Sequence, residues 1–257
     1  MKAYTSNNIR NIAVLGHGGK GKTTLCEAML YIAGASDRLG RVADGNTVLD
    51  FDSEEKRRKS SVSSAIAALE WDNTKLNIID APGLFDFEGG AAEAVRAAEA
   101  VLIVTSAGSG VDVGTEKAFR AAEKKGAAKF FAITKTDSDH RNFYKTFDAL
   151  KEVYGNKLCP TIIPYMEGNI TKCYVNLMTG MAFSYDENGK ATKVPVPEDS
   201  VIEEMTSAFM EAVATTDDAL MEKFFEGEKF TKEEILKGLC IGIFDGSIYP
   251  VYAVSGL

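Results

Sequence analysis

Residues 12–23, IAVLGHGGKGKT, decide the fold of this chain. The apolar run Ile12-Ala13-Val14-Leu15 is typical of a buried β-strand, and residues 22–33 have the apolar spacing of an α-helix. Between them, residues 16–23 match GxxxxGK[ST], a pattern whose glycines let backbone N–H groups turn towards phosphate oxygens. Because a strand precedes the motif and a helix follows it, this segment predicts a phosphate-binding loop.

The residues of this loop have distinct predicted roles. Lys22 is expected to reach the β- and γ-phosphates of a nucleotide, which makes it a candidate catalytic residue, and the Thr23 hydroxyl is a candidate ligand of Mg²⁺. The helix that begins at Lys22 adds the positive end of its dipole. The candidate nucleotide-binding residues of the loop are His17, Gly18, Gly19, Lys20, Gly21, Lys22, Thr23 and Thr24.

Strand-like and helix-like segments alternate through the first half of the chain. Three further apolar runs, Leu76–Asp80, Val101–Thr105 and Phe130–Thr134, predict strands, and Val113–Lys125 predicts a helix. This alternation predicts the α/β class, a P-loop NTPase fold with a mostly parallel sheet covered by helices on both faces. Ligands of such sheets bind beyond the carboxyl ends of the strands, so we expect the turns after Leu15, Asp80 and Ile133 to face one crevice.

The turn Asp80-Ala81-Pro82-Gly83 follows the second predicted strand. It suits a DxxG loop, in which Asp80 would hold Mg²⁺ through a water molecule. The Gly83 N–H would meet the γ-phosphate, so that Gly83 joins Lys22 as a candidate catalytic residue.

The turn Thr134-Lys135-Thr136-Asp137 follows a later strand and predicts a base-binding loop. In guanine-nucleotide proteins this loop is usually NKxD, and its Asp accepts hydrogen bonds from the guanine N1–H and 2-amino groups. Adenine offers neither donor. Asp137 is therefore the candidate guanine ligand, the Lys135 stem would cover the base, and Thr134 stands where Asn is usual. Ser255 and Gly256 would contact the guanine carbonyl through backbone N–H groups.

The second half of the chain has a different pattern. Residues 141–155 predict a helix, and residues 158–195 predict β-structure with a hairpin turn at Asp186–Gly189. Two helical runs, Val201–Phe225 and Thr231–Phe244, precede a final strand over Tyr249–Val254. We therefore expect a nucleotide-binding core over residues 1–157, an inserted α+β subdomain with its following helices over 158–246, and a last core strand with the guanine-contacting loop over 247–257.

Composition excludes several other classes of protein. Lys and Arg total 29 against 37 Asp and Glu, and a net charge of −8 argues against independent binding of DNA or RNA. The longest run without a charged residue, Cys173–Tyr185, is too short and too polar to span a membrane. The N-terminus has no apolar signal segment and the four cysteines form no CxxC pair, so we expect a cytoplasmic protein with neither a disulfide framework nor a structural zinc site.

In combination, these motifs resemble the G domain of a translational GTPase, elongation factor G in particular. The segment Ala214–Ile235 is similar to the one that follows the inserted G′ subdomain in that family, and the long interval between Asp137 and Ser255 leaves room for such an insert. The resemblance covers essentially the whole chain. It implies binding of GTP and GDP with Mg²⁺. It also implies a ribosomal partner, contacted by a longer protein of which this chain is the first part.

The chain departs from the elongation factor G pattern at several positions. Leu84 stands where the family has the histidine that orients the attacking water, and Gly19 stands where its phosphate loop has Asp. Ser61 occupies the place of the switch I Thr that binds Mg²⁺, so a hydroxyl is retained. Together with Thr134, these differences resemble the divergent second form of elongation factor G.

These departures leave two hypotheses open. The first is a ribosome-associated GTPase whose intrinsic hydrolysis is slow because no residue clearly orients the water. The second is a GTP-dependent binding module that does not hydrolyse its nucleotide. A generic P-loop ATPase is disfavoured by Asp137 and by the long insert. The basic cluster Lys56-Arg57-Arg58-Lys59 is interpreted either as a solvated switch loop or as a contact for ribosomal RNA phosphates.

Overall fold

The computed structural model describes residues 2–137, 142–168, 170–186 and 189–255. These residues form two compact units. The N-terminal unit comprises residues 2–105 and 112–129, and the C-terminal unit comprises residues 106–111 and 130–255 in the described part of the chain. No helix within the described residues is long and apolar enough to cross a bilayer.

The N-terminal unit is built on four strands in the order β2-β3-β1-β4. β1 pairs in parallel with both β3 and β4, and β2 pairs antiparallel with β3. The tight β2–β3 turn places Asp72 and Asn73 at φ 42° and 58°, the left-handed conformation that short hairpin turns require. The strands are β1 Ile9–Leu15, β2 Ala65–Trp71, β3 Thr74–Asp80 and β4 Ala100–Ser106.

Four α-helices lie in the described part of this unit. The predicted helices at residues 22–33 and 113–125 are confirmed, the latter with the Asp112 side chain accepting a hydrogen bond from Thr115 N at its N-terminus. The other two helices and strand β2 are not predicted from the sequence. The helices are α1 Lys22–Ile32, α2 Ser53–Arg58, α3 Glu88–Ala97 and α4 Val113–Lys125.

The C-terminal unit has strands in the order β5-β10-β6-β7-β8-β9. β10 is parallel to β5 and β6, whereas β6 to β9 form an antiparallel meander. The β8–β9 pairing confirms the predicted hairpin, although Glu187 and Asn188 of its turn lie outside the described residues. The strands are β5 Ala128–Thr134, β6 Leu158–Glu167, β7 Ile170–Asn176, β8 Met181–Tyr185, β9 Ala191–Val194 and β10 Tyr249–Ala253.

The prediction of one helix over Val201–Phe225 is wrong, because the chain forms two. The hydroxyls of Thr215 and Thr216 donate back to carbonyls in the last turn of the first helix, and the Asp217 side chain caps the second by accepting from Ala219 N. Side chains that bond their local backbone in this way end helices. The helices of this unit are α5 Phe143–Tyr154, α6 Ser200–Ala214, α7 Asp218–Glu226 and α8 Lys232–Asp245.

Helix α8 is continuous although it contains two glycines. A Cβ at Gly238 would lie 2.8 Å from Val213 Cγ1 of α6, and one at Gly242 would lie 2.5 Å from Ile248 Cγ1, next to β10. These glycines therefore allow close packing, and that packing offsets their poor helix propensity of about 1 kcal/mol relative to Ala.

We expect Gly242→Ala to destabilise the protein by about 1–3 kcal/mol, because overpacking at Ile248 outweighs the gain in helix propensity. Gly89→Ala, in an exposed part of α3 where a Cβ meets no atom within 4 Å, is the matched control and should be neutral or stabilising. Urea unfolding measures both. Equal free energies of unfolding for wild type and Gly242→Ala would contradict the packing argument.

Candidate functional site

The phosphate loop joins the end of β1 to the start of α1, as the sequence predicted. Gly21 caps α1 with φ 89°, and the buried Lys22 ammonium donates hydrogen bonds of 3.0 Å to both Gly16 O and His17 O. Burial lowers the pKa of Lys22 from its ordinary value, and the nearby Asp80 carboxylate opposes this shift. An ammonium group has three donors, and these two hydrogen bonds leave it one for another acceptor.

A row of buried oxygen atoms lies beside the loop. Thr23 Oγ1 donates to Asp80 Oδ2 at 2.6 Å, Ser61 Oγ donates to Asp50 Oδ1 at 2.7 Å, and the two hydroxyl oxygens are 3.1 Å apart. Because each hydroxyl gives its one proton to a carboxylate, the two hydroxyl oxygens face each other through lone pairs. Asp50 Oδ2 and Asp80 Oδ1 are also buried, with no hydrogen-bond partner in the described part of the chain.

This donor set fits a hard divalent cation such as Mg²⁺, which binds hydroxyl, carboxylate and water oxygens. The predicted ligands Thr23, Ser61 and Asp80 are therefore brought together, and Asp50, which sequence analysis missed, lies with them. Among the described residues no group of three or more His, Cys, Asp or Glu side chains could hold a metal ion. A cation at this row would thus depend on the hydroxyl oxygens as well as the two carboxylates.

The two carboxylates of the row ionise with difficulty. Burial raises the pKa of Asp80 to about 7, against the opposing effects of the Thr23 hydrogen bond and of Lys22. Burial likewise raises the pKa of Asp50, and the hydrogen bond from Ser61 opposes that shift. A nearby cation favours the ionised form of both groups. The row is therefore electrostatically suited to a divalent ion.

The predicted DxxG turn lies directly against the phosphate loop. A Cβ added at Gly83 would overlap Lys22 Nζ and lie 2.6 Å from Gly18 N, so only glycine fits here without displacing the loop. The next residue, Leu84, packs on the loop as well, since its Cδ2 would touch a Cβ added at Gly18. The turns after β1 and β3 thus meet, and Lys22 and Gly83 are neighbours.

Two buried glutamates hold the segment that carries Asp50 and Ser61. Glu27 of α1 accepts hydrogen bonds from Val48 N at 2.7 Å and Leu49 N at 2.9 Å. Glu55 of α2 accepts from the backbone N–H groups of residues 62 and 63 at 3.0 and 3.1 Å, and it also caps its own helix through Asp52 N. The segment is therefore fixed on both sides of the oxygen row.

The remaining phosphate-loop side chains contact the protein itself. His17 Nδ1 accepts from Gly18 N at 2.7 Å, and the His17 ring stacks on Phe85 with centroids 5.5 Å apart. Lys20 forms an ion pair of 3.1 Å with Asp112, the N-cap of α4. Burial alone would raise the pKa of Asp112, but the hydrogen bonds from Thr115 N and Lys20 outweigh it and the pKa is lowered.

The basic cluster at residues 56–59 is partly neutralised. Glu54 pairs with both Arg57 and Arg58 at 2.7 and 2.5 Å, on an exposed surface of α2. These hydrogen bonds, with Arg57 contributing most, lower the pKa of Glu54 to about 2. The pairing reduces the local positive charge. It is compatible with both interpretations of the cluster, a solvated switch loop and a contact for RNA phosphates.

The predicted base-binding loop follows β5 in the C-terminal unit. Thr134 and Thr136 are buried, Lys135 adopts φ 59°, and Asp137 is exposed to solvent. Ser255 is tied to this loop through the preceding residue, because Thr136 Oγ1 donates to Val254 O at 3.2 Å. The Ser255 Oγ atom has no hydrogen-bond partner in the part of the chain that the structure describes. Gly256 lies outside the described residues.

Comparison of the sequence with known families agrees with a nucleotide-binding site of this geometry. Residues 7–257 match the elongation factor Tu GTP binding domain. The chain belongs to this family. It is a translational GTPase G domain of the elongation factor G-like kind, with the predicted P-loop α/β fold and G′-type insert, and the predicted family is confirmed.

Two curated relatives and one solved structure cover most of this G domain. Elongation factor G-like proteins of Mycobacterium tuberculosis strains CDC 1551 and H37Rv are each 33% identical to it over 249 residues, which are 96% of this chain and 34% of the relative. A crystal structure of a Thermus thermophilus protein is 36% identical with a TM-score of 0.88, over 96% of this chain and 37% of that one. The G domain spans about a third of the length of the relatives it matches.

Three acidic residues that support this site, Glu27, Asp50 and Glu55, are not predicted from the sequence. Glu27 could have been found, because it is the one charged residue in the otherwise apolar run Leu25–Ile32. Asp50 and Glu55 carry no such signal, since they lie in a polar segment where acidic residues are common. Their burial and hydrogen bonds appear only when the segment is folded over α1.

We expect Asp80→Asn to raise the unfolding temperature of the nucleotide-free, EDTA-treated G domain by several degrees at pH 8. Wild type buries an ionised carboxylate at that pH, whereas Asn is neutral and can still accept from Thr23. The pKa of Asp80 is raised in the folded state, so the contribution of this group to stability is fully present below about pH 4 and is lost as the pH rises through about 7. The advantage of the variant therefore shrinks by at most about 1.4 kcal/mol per pH unit as the pH falls from 7 towards 4.

Thermal unfolding from pH 4 to pH 8 measures this effect. The exposed Asp148→Asn is the control and should follow the wild-type curve. Parallel curves for wild type and Asp80→Asn would show that burial of Asp80 carries no ionisation cost.

Proposed function

We propose that this G domain binds GTP and GDP with Mg²⁺ and, within a longer ribosome-associated factor, hydrolyses GTP slowly. The observation that carries the proposal is the buried row of Thr23, Ser61, Asp50 and Asp80 oxygens beside Lys22. This arrangement pairs an ammonium group for phosphate oxygens with a donor set for a divalent cation. Membership of the family supports the choice of nucleotide.

The phosphate loop would hold the β- and γ-phosphates. Lys22 would exchange its carbonyl partners Gly16 and His17 for phosphate oxygens, since charge-assisted hydrogen bonds are the stronger ones. The N-terminus of α1 would add backbone N–H groups and its positive dipole end. The proposed phosphate-contacting residues are His17, Gly18, Gly19, Lys20, Gly21, Lys22, Thr23 and Thr24.

The oxygen row would hold Mg²⁺, which when bound neutralises phosphate charge. Thr23 and Ser61 would contribute hydroxyl oxygens, and Asp80 and Asp50 would contribute carboxylates, Asp80 through a water molecule. Glu27 and Glu55 would keep Ser61 and Asp50 in reach, because they fix the backbone on either side of these residues.

The base would be held in the C-terminal unit. Asp137 would accept from the guanine N1–H and 2-amino groups, the Lys135 stem would cover the base, and Thr134 would take the place of the usual Asn. Ser255 and Gly256 would contact the guanine carbonyl. Residues 158–246 would form the inserted subdomain between these two parts of the base site, within a core formed by residues 1–157 and 247–257.

Hydrolysis would depend on Lys22 and on the backbone N–H of Gly83, a residue that lies against Lys22. The residue at position 84 cannot orient the attacking water, because the Leu84 side chain is aliphatic and packs on Gly18. Loss of an orienting or acid–base group typically costs about 10²–10⁴ in rate. This contact also favours the second candidate function, a GTP-dependent ribosome-binding module that does not hydrolyse its nucleotide. A ribosomal partner in either case implies a cytoplasmic location.

The guanine assignment predicts the behaviour of Asp137→Asn. Each lost charge-assisted hydrogen bond is worth about 1.5–3 kcal/mol, so GDP affinity should fall by about 10²–10⁴. The Asn amide can donate to the 2-oxo group of xanthine, so xanthosine diphosphate should bind the variant better than GDP does. Equilibrium titration with a fluorescent GDP analogue and unlabelled competitors measures these affinities. If ADP displaced the fluorescent analogue from the wild-type domain as well as GDP does, the guanine assignment would be wrong.

The role of residue 84 predicts the behaviour of Leu84→His in the full-length factor. Single-turnover GTP hydrolysis, with and without ribosomes, should be slow in wild type and about 10²-fold or more faster in the variant, because an imidazole can orient water. Strong stimulation of wild type by ribosomes would favour the GTPase hypothesis and assign water orientation to another residue. An inert wild type that binds GTP and gains turnover in Leu84→His would favour the binding module.

A further inference from the structure

The base-binding loop is anchored at Thr136, the residue between Lys135 and Asp137. Thr136 is 1% exposed, and its hydroxyl donates to Val254 O at 3.2 Å while lying 2.8 Å from the Tyr174 hydroxyl. Because the Thr136 hydroxyl has one proton and gives it to Val254 O, it accepts from Tyr174. On its other side, Thr136 O accepts from Thr171 Oγ1 at 2.7 Å.

Both of these donors belong to β7, a strand of the antiparallel meander. Burial raises the pKa of Tyr174 above its ordinary value of 10, so its hydroxyl keeps its proton at neutral pH. The Tyr174 ring packs edge-on against Tyr185 of β8, with centroids 5.8 Å apart. The donor is thereby held in place by its own sheet.

A β-bulge allows both donors to reach the same residue. Residues 171 and 174 of a regular strand point to opposite faces, since side chains alternate. In β7 the register with β6 shifts between Tyr165 and Met166, so that Cys173 pairs with the first and Thr171 with the second. The extra residue resets the alternation and brings Thr171 and Tyr174 to one face.

The loop needs such an anchor for two reasons. Lys135 has φ 59°, an uncommon conformation for a residue with a side chain, which persists only where its surroundings enforce it. In addition, Thr134 has a shorter side chain than the Asn that usually occupies this position in guanine-nucleotide proteins. Asp137 directly follows Thr136, so a displacement of Thr136 moves the carboxylate that reads the base.

We propose that Tyr174 and Thr171 are positioning residues for guanine binding, and that strand β7 thereby sets how long the nucleotide stays bound. The inference rests on the proposed function, because it presumes that Asp137 contacts guanine. It assigns to the inserted strands a role in nucleotide recognition that acts through Thr136.

The test compares the nucleotide-release rates of variants in this chain. Tyr174→Phe keeps the ring but loses the donor, and Thr136→Val keeps the shape but loses the hydroxyl. Each should release a fluorescent GDP analogue about 3- to 10-fold faster than wild type in stopped-flow experiments. Thr136→Ser retains the hydroxyl and should restore wild-type release. Tyr185→Phe, which keeps the ring contact with Tyr174, is the matched control and should be unchanged.

A second measurement separates positioning from stability. Inosine diphosphate lacks the 2-amino group that Asp137 would accept from, so the ratio of GDP to inosine diphosphate affinity reports how well this carboxylate is placed. We expect the ratio to fall at least 3-fold in Tyr174→Phe and in Thr136→Val. The double variant should be no worse than Thr136→Val alone, because Thr136→Val already removes the hydrogen bond that Tyr174→Phe removes.

Two kinds of failure are distinguishable. If wild type binds GDP but the release rates and affinity ratios of Tyr174→Phe and Thr136→Val equal those of wild type, the positioning role is overturned and the proposed function stands. If wild type does not bind GDP, the proposed function itself fails. Should Tyr174→Phe not fold, the pair Thr136→Val and Thr136→Ser decides, since Ser keeps the hydroxyl that Val replaces with a methyl group.

Discussion

The hydrogen bond from Thr23 to Asp80 joins the first turn of α1 to the end of β3, and much of the phosphate site depends on it. It fixes the turn after β3 against the phosphate loop, where Gly83 fits beside Lys22 because it has no side chain. The same carboxylate is fully buried, and burial raises its pKa to about 7. A protein rarely keeps such a group for stability alone, because an ionised carboxylate without full compensation is costly to bury. A cation bound beside the carboxylate would offset this cost.

Backbone groups account for the order of the segment between α1 and β2. Much of this segment is polar and outside regular structure. Even so, the N–H groups of residues 48 and 49 both donate to the buried Glu27, and those of residues 62 and 63 both donate to the buried Glu55. A carboxylate that accepts from consecutive N–H groups satisfies donors that would otherwise be buried without partners. Asp50 and Ser61 lie between these two attachment points and are held at the oxygen row as a result. Local order here is therefore a property of side chains distant in sequence.

The base-binding loop is organised by the same principle in the other unit. Thr136 uses its hydroxyl and its carbonyl to meet three partners, which come from β7 and from the residue after β10. Hydroxyl networks of this kind specify a single conformation when every member is satisfied. Strand β7 thus holds Thr136, the middle of the loop between Lys135 and Asp137, by two hydrogen bonds.

The sequence by itself determined the family, the P-loop α/β class and the position of the phosphate loop, since these depend on local patterns. Glycine spacing, apolar periodicity and the residue that follows each strand can be read directly from the sequence. The predicted helix over Val113–Lys125, for example, matches the structure at both ends. Only the tertiary structure decided which acidic residues support the site and which side chains anchor the base loop. Asp50, Glu55 and Tyr174 have no local signature, because their roles arise from burial and from partners that lie 7 to 38 positions away in the chain. Hydrogen bonds between distant residues are fixed by how the elements pack, and no short stretch of sequence encodes that packing.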